Sequence, residues 1–265
     1  MTRPRLLDLF RGQGGAAAGY IAAGFDVTGV DKYDTGRRYP GTALVGDALE
    51  YLEAHGAEFD VIHASPPCQA YSRATAGNPA ARSRHTRLIA ATRDLLEDTG
   101  RPWVLENVEQ ARSELRTPLL LCGRMFDLRA VDEDGHPLVL DRHRLFESNV
   151  LLWAPAHPTH GDETVAGVYR GARLSSKQGA TPADDRYAAR YLRRGGYVPR
   201  SRRVRQTLMG GVDWMTDNGL AEAIPPVYAT HLGRQLYDVA MRERFGSPEQ
   251  LEAERRPIVT AEPHR

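Results

Sequence analysis

The stretch RLLDLFRGQGGAAAGYIAAGFDVTGVD, residues 5–31, decides the fold. Arg5–Phe10 is a short apolar run that stops in a glycine-rich turn, Asp8-Leu9-Phe10-Arg11-Gly12-Gln13-Gly14-Gly15. Ala16–Ala23 is small and helix-friendly, and Phe25–Val30 is a second apolar run ending at Asp31. Strand, glycine turn, helix and strand make one unit of a parallel sheet. Glycine suits such a turn because a backbone without Cβ lets a ligand come close. The pattern is not quite G-x-G-x-x-G, so a tight bend that holds nothing fits the turn as well. Asp31 follows Gly12 by 19 residues. That is near the roughly 20-residue spacing at which an acid meets a ribose hydroxyl in nucleotide-binding sheets.

The alternation continues outward. Ala43–Val45 is a third strand, Ala48–Ala54 is helical, and Phe59–Ala64 is a fourth strand stopped by Pro66-Pro67. Ser83–Leu96 has apolar residues at helical spacing, and Trp103–Leu105 is a fifth strand running into Glu106-Asn107. The expected fold is α/β, a Rossmann-like sheet with helices on both faces. Ligands of such sheets bind outside the carboxyl ends of the strands, where Asp31 and Asp47 stand. Asp47 equally suits the N-cap of the helix that follows it. In Thr117–Ser148, the apolar runs Leu119–Cys122, Leu138–Leu140 and Arg144–Phe146 read as strands and hairpins that close the sheet. Residues 1–153 and 206–245 are expected to form the main domain. Residues 154–205, with weak periodicity and many Gly, Pro and Arg, form a small irregular insert, and 246–265 a charged tail.

Composition narrows the class. With 41% hydrophobic and 26% charged residues, the chain reads as an ordinary globular protein. No apolar run reaches the length of a membrane span, and MTRPRLLDLF does not read as a signal peptide, so none is expected. Cys68 and Cys122 are the only cysteines, which points to free thiols in a reducing cytoplasm. Net charge is +1, but Gly161–Arg205 holds eleven Lys+Arg against four Asp+Glu. Ser65–Arg93 holds five arginines and no acid. Two basic stretches on a near-neutral chain fit a polyanion. Against this, 33 of the 35 basic residues are arginine, many of which only solvate the surface.

The chemistry gathers at strand ends. Cys68 stands in Ser65-Pro66-Pro67-Cys68-Gln69-Ala70-Tyr71-Ser72, stiffened by two prolines in an arginine-rich loop. Positive charge there favours a thiolate. Cys122 lies in an apolar run and reads as a small core residue. Glu106, at the end of the fifth strand, is placed near Cys68 by a Rossmann-like strand order and can act as a proton donor. Arg142 and Arg144 alternate, and on a strand they would point to one face; the plainer reading is a surface ladder.

In this order the residues resemble the C5-cytosine DNA methyltransferases. DLFRGQGG (8–15), Asp31, Gly46-Asp47, PPCQAYS (66–72), ENV (106–108), RHRLF (142–146), LMGGVDWM (208–215) and AIPPVYATHLGRQL (223–236) carry the resemblance. It implies a methyl donor, S-adenosylmethionine, held by Phe10, Gly12, Gln13, Gly14, Gly15, Asp31, Asp47 and Pro66. It also implies attack on cytosine C6 by Cys68, protonation of the base by Glu106, and positioning by Arg142 and Arg144. A base inside a duplex must be flipped out first. Ser72, Arg73, Arg193, Arg194, Arg202 and Arg203 are the expected contacts to duplex DNA. A monomer is expected, with no membrane and no metal. The host is expected to be bacterial, with the chain either bacterial or phage-encoded in the manner of small family members; a restriction partner, a solitary regulator and a phage self-protection enzyme are all compatible with it.

The sequence departs from the family at three places. Leu140 replaces the usual glutamine before R-x-R, and Ala221-Glu222 replaces Gly-Asn before the apolar-Pro-Pro motif. Fewer than 60 residues separate RHRLFES from LMGGVDWM, a short span for target recognition. The short insert keeps open the same chemistry on RNA cytosine or a free cytosine nucleotide. An amino-methyltransferase would explain Pro66-Pro67 but not Cys68, ENV or R-x-R. A non-catalytic DNA-binding relative would be expected to lack Cys68 or Glu106.

Overall fold

The computed structural model describes residues 2–35, 38–71, 87–168 and 197–246. Ten strands lie among them: β1 (Arg5–Leu9), β2 (Asp26–Asp31), β3 (Thr42–Val45), β4 (Val61–Ala64), β5 (Trp103–Val108), β6 (Leu119–Leu121), β7 (Arg129–Val131), β8 (Pro137–Val139), β9 (Arg144–Ser148) and β10 (Thr164–Val165). The helices are α1 (Gly15–Ala22), α2 (Ala48–His55), α3 (Ile89–Asp98), α4 (Arg202–Leu208), α5 (Asp217–Glu222) and α6 (Pro226–Phe245).

Seven strands form one sheet in the order β3-β2-β1-β4-β5-β9-β6. Its first five strands are parallel; β9 runs antiparallel to both β5 and β6. The order reverses between β1 and β4, which puts a crevice at their carboxyl ends. The strands are apolar almost throughout because both faces are covered. Leu6, Val27, Val61 and Val104 pack with Ala17, Tyr20, Tyr228 and Leu232 of α1 and α6. Leu7, Leu9, Ile62 and Leu105 turn the other way, onto Leu52 of α2 and Leu96 of α3. The alternation is the period-2 pleat of each strand.

α1 and α6 approach closely. A Cβ at Gly19 would collide with the Pro226 carbonyl, and one at Gly15 with the Ile224 carbonyl. On the other face α3 is tied to β9 by Arg93, whose Nε and Nη2 donate to the Glu147 carboxylate at 2.6 and 2.7 Å, both side chains buried.

One expectation changes here. β6 and β9 close the main sheet, but β7 and β8 do not join it. They make a separate three-stranded sheet with β10, in the order β10-β8-β7. The start of the expected insert is thus paired to the Leu138–Leu140 run. α5 and α6 are separate helices, because Pro225 has no N–H to continue α5 and Pro226 takes the first position of α6. No described helix is long and apolar enough to cross a membrane.

Candidate active site

β4 ends at Ala64 and the chain enters Ser65-Pro66-Pro67, which delivers Cys68 into a single 3-10 turn, Cys68–Ala70. This turn is held from the neighbouring strand. Buried Asn107 donates through Nδ2 to the Pro66 carbonyl at 2.9 Å, and its Oδ1 accepts from the Val108 N–H at 3.0 Å. Asn107 stands beside Glu106 in β5, so one strand supplies both the expected acid and the support for the cysteine loop. It belongs to the ENV motif, yet motif and periodicity alone do not reveal its task.

Glu106 is buried and paired with Arg144, Nε to Oε1 at 3.0 Å. Val108 and Arg144 are directly opposed in the β5–β9 ladder, which brings the arginine to the acid. Burial pushes the Glu106 carboxyl up, while Arg144, Arg142 and a hydrogen bond from Ser65 pull it down. Behind Ser65 the polar chain continues. His63 Nε2 lies 2.8 Å from Ser65 Oγ, and His63 Nδ1 lies 2.9 Å from Tyr20 Oη. Burial holds His63 down to about 3, so the ring is neutral. One proton arrangement satisfies every link: Tyr20 donates to Nδ1, Nε2–H donates to Ser65, and Ser65 donates to Glu106.

Cys68 is half-buried beside these groups. Burial pushes its thiol up and Glu106 adds to that; Arg144 and then Arg142 pull it down. Among the described residues, desolvation and the adjacent carboxylate outweigh Arg144 and Arg142; Arg73, Arg82 and Arg84 of the loop expected to favour the thiolate lie outside the described residues.

Arg142 also departs from expectation. It lies outside β9 at φ 35°, so the same-face argument does not apply to it. Its guanidinium donates to the carbonyls of Ala223 (2.9 and 2.6 Å) and Ala221 (2.9 Å), at the end of α5. A cation there meets the negative end of the helix. Ala221, one of the two residues where the sequence departs from Gly-Asn, is thus a place where Arg142 anchors.

At the carboxyl ends of β1, β2 and β3 the glycine-rich turn is strongly bent. Phe10, Gly12 and Gly14 have φ of 59°, 49° and 82°. The Gly12 N–H donates to Asp31 Oδ2 at 3.0 Å, and Asp31 Oδ1 accepts from the Tyr33 N–H at 3.1 Å. Each carboxylate oxygen keeps a further lone pair for a hydroxyl. A Cβ at Gly12 would meet nothing within 4 Å, so the turn faces open space. Gly15 serves the contact between α1 and the Ala223-Ile224 link that leads into α6. Gln13 points away from that space: its amide exchanges two hydrogen bonds with Thr216, 2.8 and 2.9 Å, and its carbonyl accepts from Trp214 Nε1. Asp47 takes the cap role, accepting from the Leu49 and Glu50 N–H groups and pairing with Lys32 at 2.9 Å. Pro66 is buried under the Cys68 turn. Arg11, not expected at the site, braces the turn through Thr35 Oγ1 at 2.6 Å and the Leu44 carbonyl at 3.4 Å.

Residues 4–120 match the family model for C-5 cytosine-specific DNA methylase. It is this stretch, not the chain as a whole, that resembles a C-5 cytosine-specific DNA methylase domain. The chain is similar to the Dnmt2 methyltransferase of S. pombe, at 14% identity over 89% of this chain and 98% of that one, with a TM-score of 0.53. It is also similar to a putative DNA modification methyltransferase encoded within an E. coli prophage, at 16% identity over 88% and 98%, TM-score 0.48. The third structure is the Entamoeba histolytica methyltransferase EhMeth, at 13% identity over 90% and 99%, TM-score 0.49. The first of these likenesses shows a shared fold. No curated protein matches the chain. The methyl donor of such a domain is S-adenosylmethionine. The open backbone at Gly12 and the spare lone pairs of Asp31 fit its adenosyl group.

Four of the expected nucleic-acid contacts, Ser72, Arg73, Arg193 and Arg194, lie outside the described residues. Arg202 and Arg203 are exposed in the first turn of α4, and Arg202 pairs with Asp217 at 3.1 Å.

Proposed function

We propose that the chain methylates C5 of a flipped-out cytosine in duplex DNA through a covalent bond between Cys68 and C6. The observation that carries this reading is the Glu106–Arg144 pair beside the Cys68 turn. Cytosine C5 is a poor nucleophile, and thiolate addition at C6 makes it an enamine-like carbon. Glu106, raised by burial, is suited to hold a proton against N3 as negative charge develops on the ring, and Arg144 to stabilise that charge. The cofactor supplies the methyl group. Loss of the C5 proton and departure of the Cys68 thiolate restore the aromatic base.

In this reading Phe10, Gly12, Gly14 and Asp31 hold S-adenosylmethionine, with Pro66 beneath the Cys68 turn and Asp47 at the next strand end. Gln13 and Gly15 shape the turn from behind, and Arg142 sets the approach to β9. Residues 154–205 are the target-recognition insert, and Arg202 and Arg203 with Arg193, Arg194, Ser72 and Arg73 meet phosphates.

The test is transfer of labelled methyl from S-adenosylmethionine to duplex DNA, single-stranded DNA, RNA and deoxycytidine monophosphate in parallel. Labelled duplex DNA, abolished by Cys68→Ala with cofactor binding retained, is the expected result. Labelling of RNA or the mononucleotide alone would move the substrate and leave the chemistry. Methyl transfer without a trapped adduct on 5-fluorocytosine DNA would refute the Cys68 route.

A further inference from the structure

Away from the Cys68 turn, a thiol and three imidazoles converge at the end of β6. Cys122 directly follows Leu121, His143 precedes β9, and His157 and His160 come from residues 151–161, which form no helix or strand. One ligand atom from each of the four lies within 4.8 Å of every other. The His157 and His160 rings stack with centroids 5.0 Å apart, and His143 lies 5.5 and 5.3 Å from them.

The outer nitrogen of each ring is already engaged. His143 Nδ1 lies 3.3 Å from Glu109 Oε2, and His160 Nδ1 lies 3.3 Å from Asp141 Oδ2. His157 Nδ1 lies 2.9 Å from the Pro158 carbonyl. Acceptors on all three rings put the hydrogen on Nδ1 and leave the Nε2 lone pair available. His160 Nε2 is 3.5 Å from Cys122 Sγ. His143 Nε2 is buried with no hydrogen-bond partner, which is costly for a polar nitrogen unless something else meets its lone pair.

A divalent cation resolves the arrangement. Carboxylate or carbonyl partners on the far nitrogen are what metal-bound histidines use to fix tautomer and ring orientation. Zn–N near 2.0–2.1 Å and Zn–S near 2.3 Å imply a tetrahedral S···N edge of about 3.5 Å, which matches the Cys122–His160 separation. One thiolate with three imidazoles is a zinc-type set; calcium and magnesium take oxygen. We propose that Cys122, His143, His157 and His160 form a structural zinc site that fastens the segment after Trp153 to the catalytic sheet. Four protein ligands close the site, so it holds structure and activates no water. On binding, Cys122 gives its thiol proton to solvent. His143 stands between Arg142 and Arg144, so fixing its ring fixes the start of the strand that carries Arg144. A single ion thus couples the entrance of the basic insert to the Glu106–Arg144 pair.

The experiment is elemental analysis of the full chain purified without chelator, followed by titration of the stripped protein with zinc and with cobalt alone. About one zinc per chain is expected. Cobalt should give a tetrahedral visible spectrum with a thiolate charge-transfer band that Cys122→Ser removes. The exposed pair His157→Ala/His160→Ala guards against a folding defect and should abolish stoichiometric uptake with the circular dichroism unchanged. Glu109→Ala, which touches no metal, should weaken zinc affinity about 10–100-fold. Zinc content in the unaltered chain no higher than in the double histidine variant would overturn the proposal. So would a cobalt spectrum indifferent to Cys122.

Discussion

Replacing Asn107 by alanine tests how Cys68, the proposed nucleophile, is held. The substitution removes the 2.9 Å bond to the Pro66 carbonyl and leaves that acceptor buried without its donor. An unsatisfied buried partner costs about 1–3 kcal/mol. At about 2 kcal/mol, the melting temperature should fall by roughly 4–8 °C for a chain of this size. The kinetic effect has a separate origin. Pro66 is two residues before Cys68, and a shift of about 1 Å in a reacting group costs on the order of 100-fold in rate. The assay is single-turnover methyl transfer with saturating cofactor and DNA, beside cofactor affinity and thermal melting. kcat should drop about 10- to 100-fold while the cofactor Kd stays within a factor of two or so, since 1.4 kcal/mol is already tenfold. Asn107→Asp, which sets a carboxylate against the Pro66 carbonyl, should be worse than alanine. If Asn107→Ala lowers the melting temperature but leaves kcat intact, the residue only fills space and the positioning argument fails.

Three further outcomes follow from the charges and the fold. Glu106 raises the Cys68 thiol and Arg144 lowers it, so the pH midpoint of Cys68 alkylation, followed on its own peptide, should move down in Glu106→Gln and up in Arg144→Ala; no movement in either would deny the coupling. Burial lifts Asp8 to about 7, with Tyr39 and Arg11 opposing it. The folded state therefore binds that proton more tightly than the unfolded chain, and the cost of ionising it is absent below pH 4 and complete above pH 7. Asp8→Asn should accordingly stabilise by up to a few kcal/mol at pH 8 and by little at pH 4, as read by denaturant unfolding; the opposite trend would refute it. Finally, replacing Arg193, Arg194, Arg202 and Arg203 should weaken DNA binding and flatten its salt dependence, with the slope reduced by about 0.9 for each lost phosphate contact. Arg202, already paired with Asp217, should contribute less than exposed Arg203.

Much of this protein is legible along the chain because its information is local. The alternation of apolar runs with small-residue helices fixes a parallel sheet, and the residues at the strand ends name the chemistry: Cys68, Glu106 and the Gly12 turn. Asp31 could be placed because one short helix and one strand separate it from Gly12. Other assignments depended on distance in space. Desolvation and Glu106 push the Cys68 thiol up, and neither is visible in a one-dimensional charge count. Arg142 and Arg144 look equivalent at two-residue spacing, yet a positive φ turns the first onto the end of α5 and leaves the second on the acid. The sequence reading of Cys122 as a core residue is accurate for its burial, but its three histidine neighbours come from two other segments. Sequence alone determined the order of the elements and the reactive residue types, because local periodicity and turn chemistry encode them. The tertiary structure decided which polar groups meet, because burial and Coulomb interactions act over ångströms and not over residue numbers.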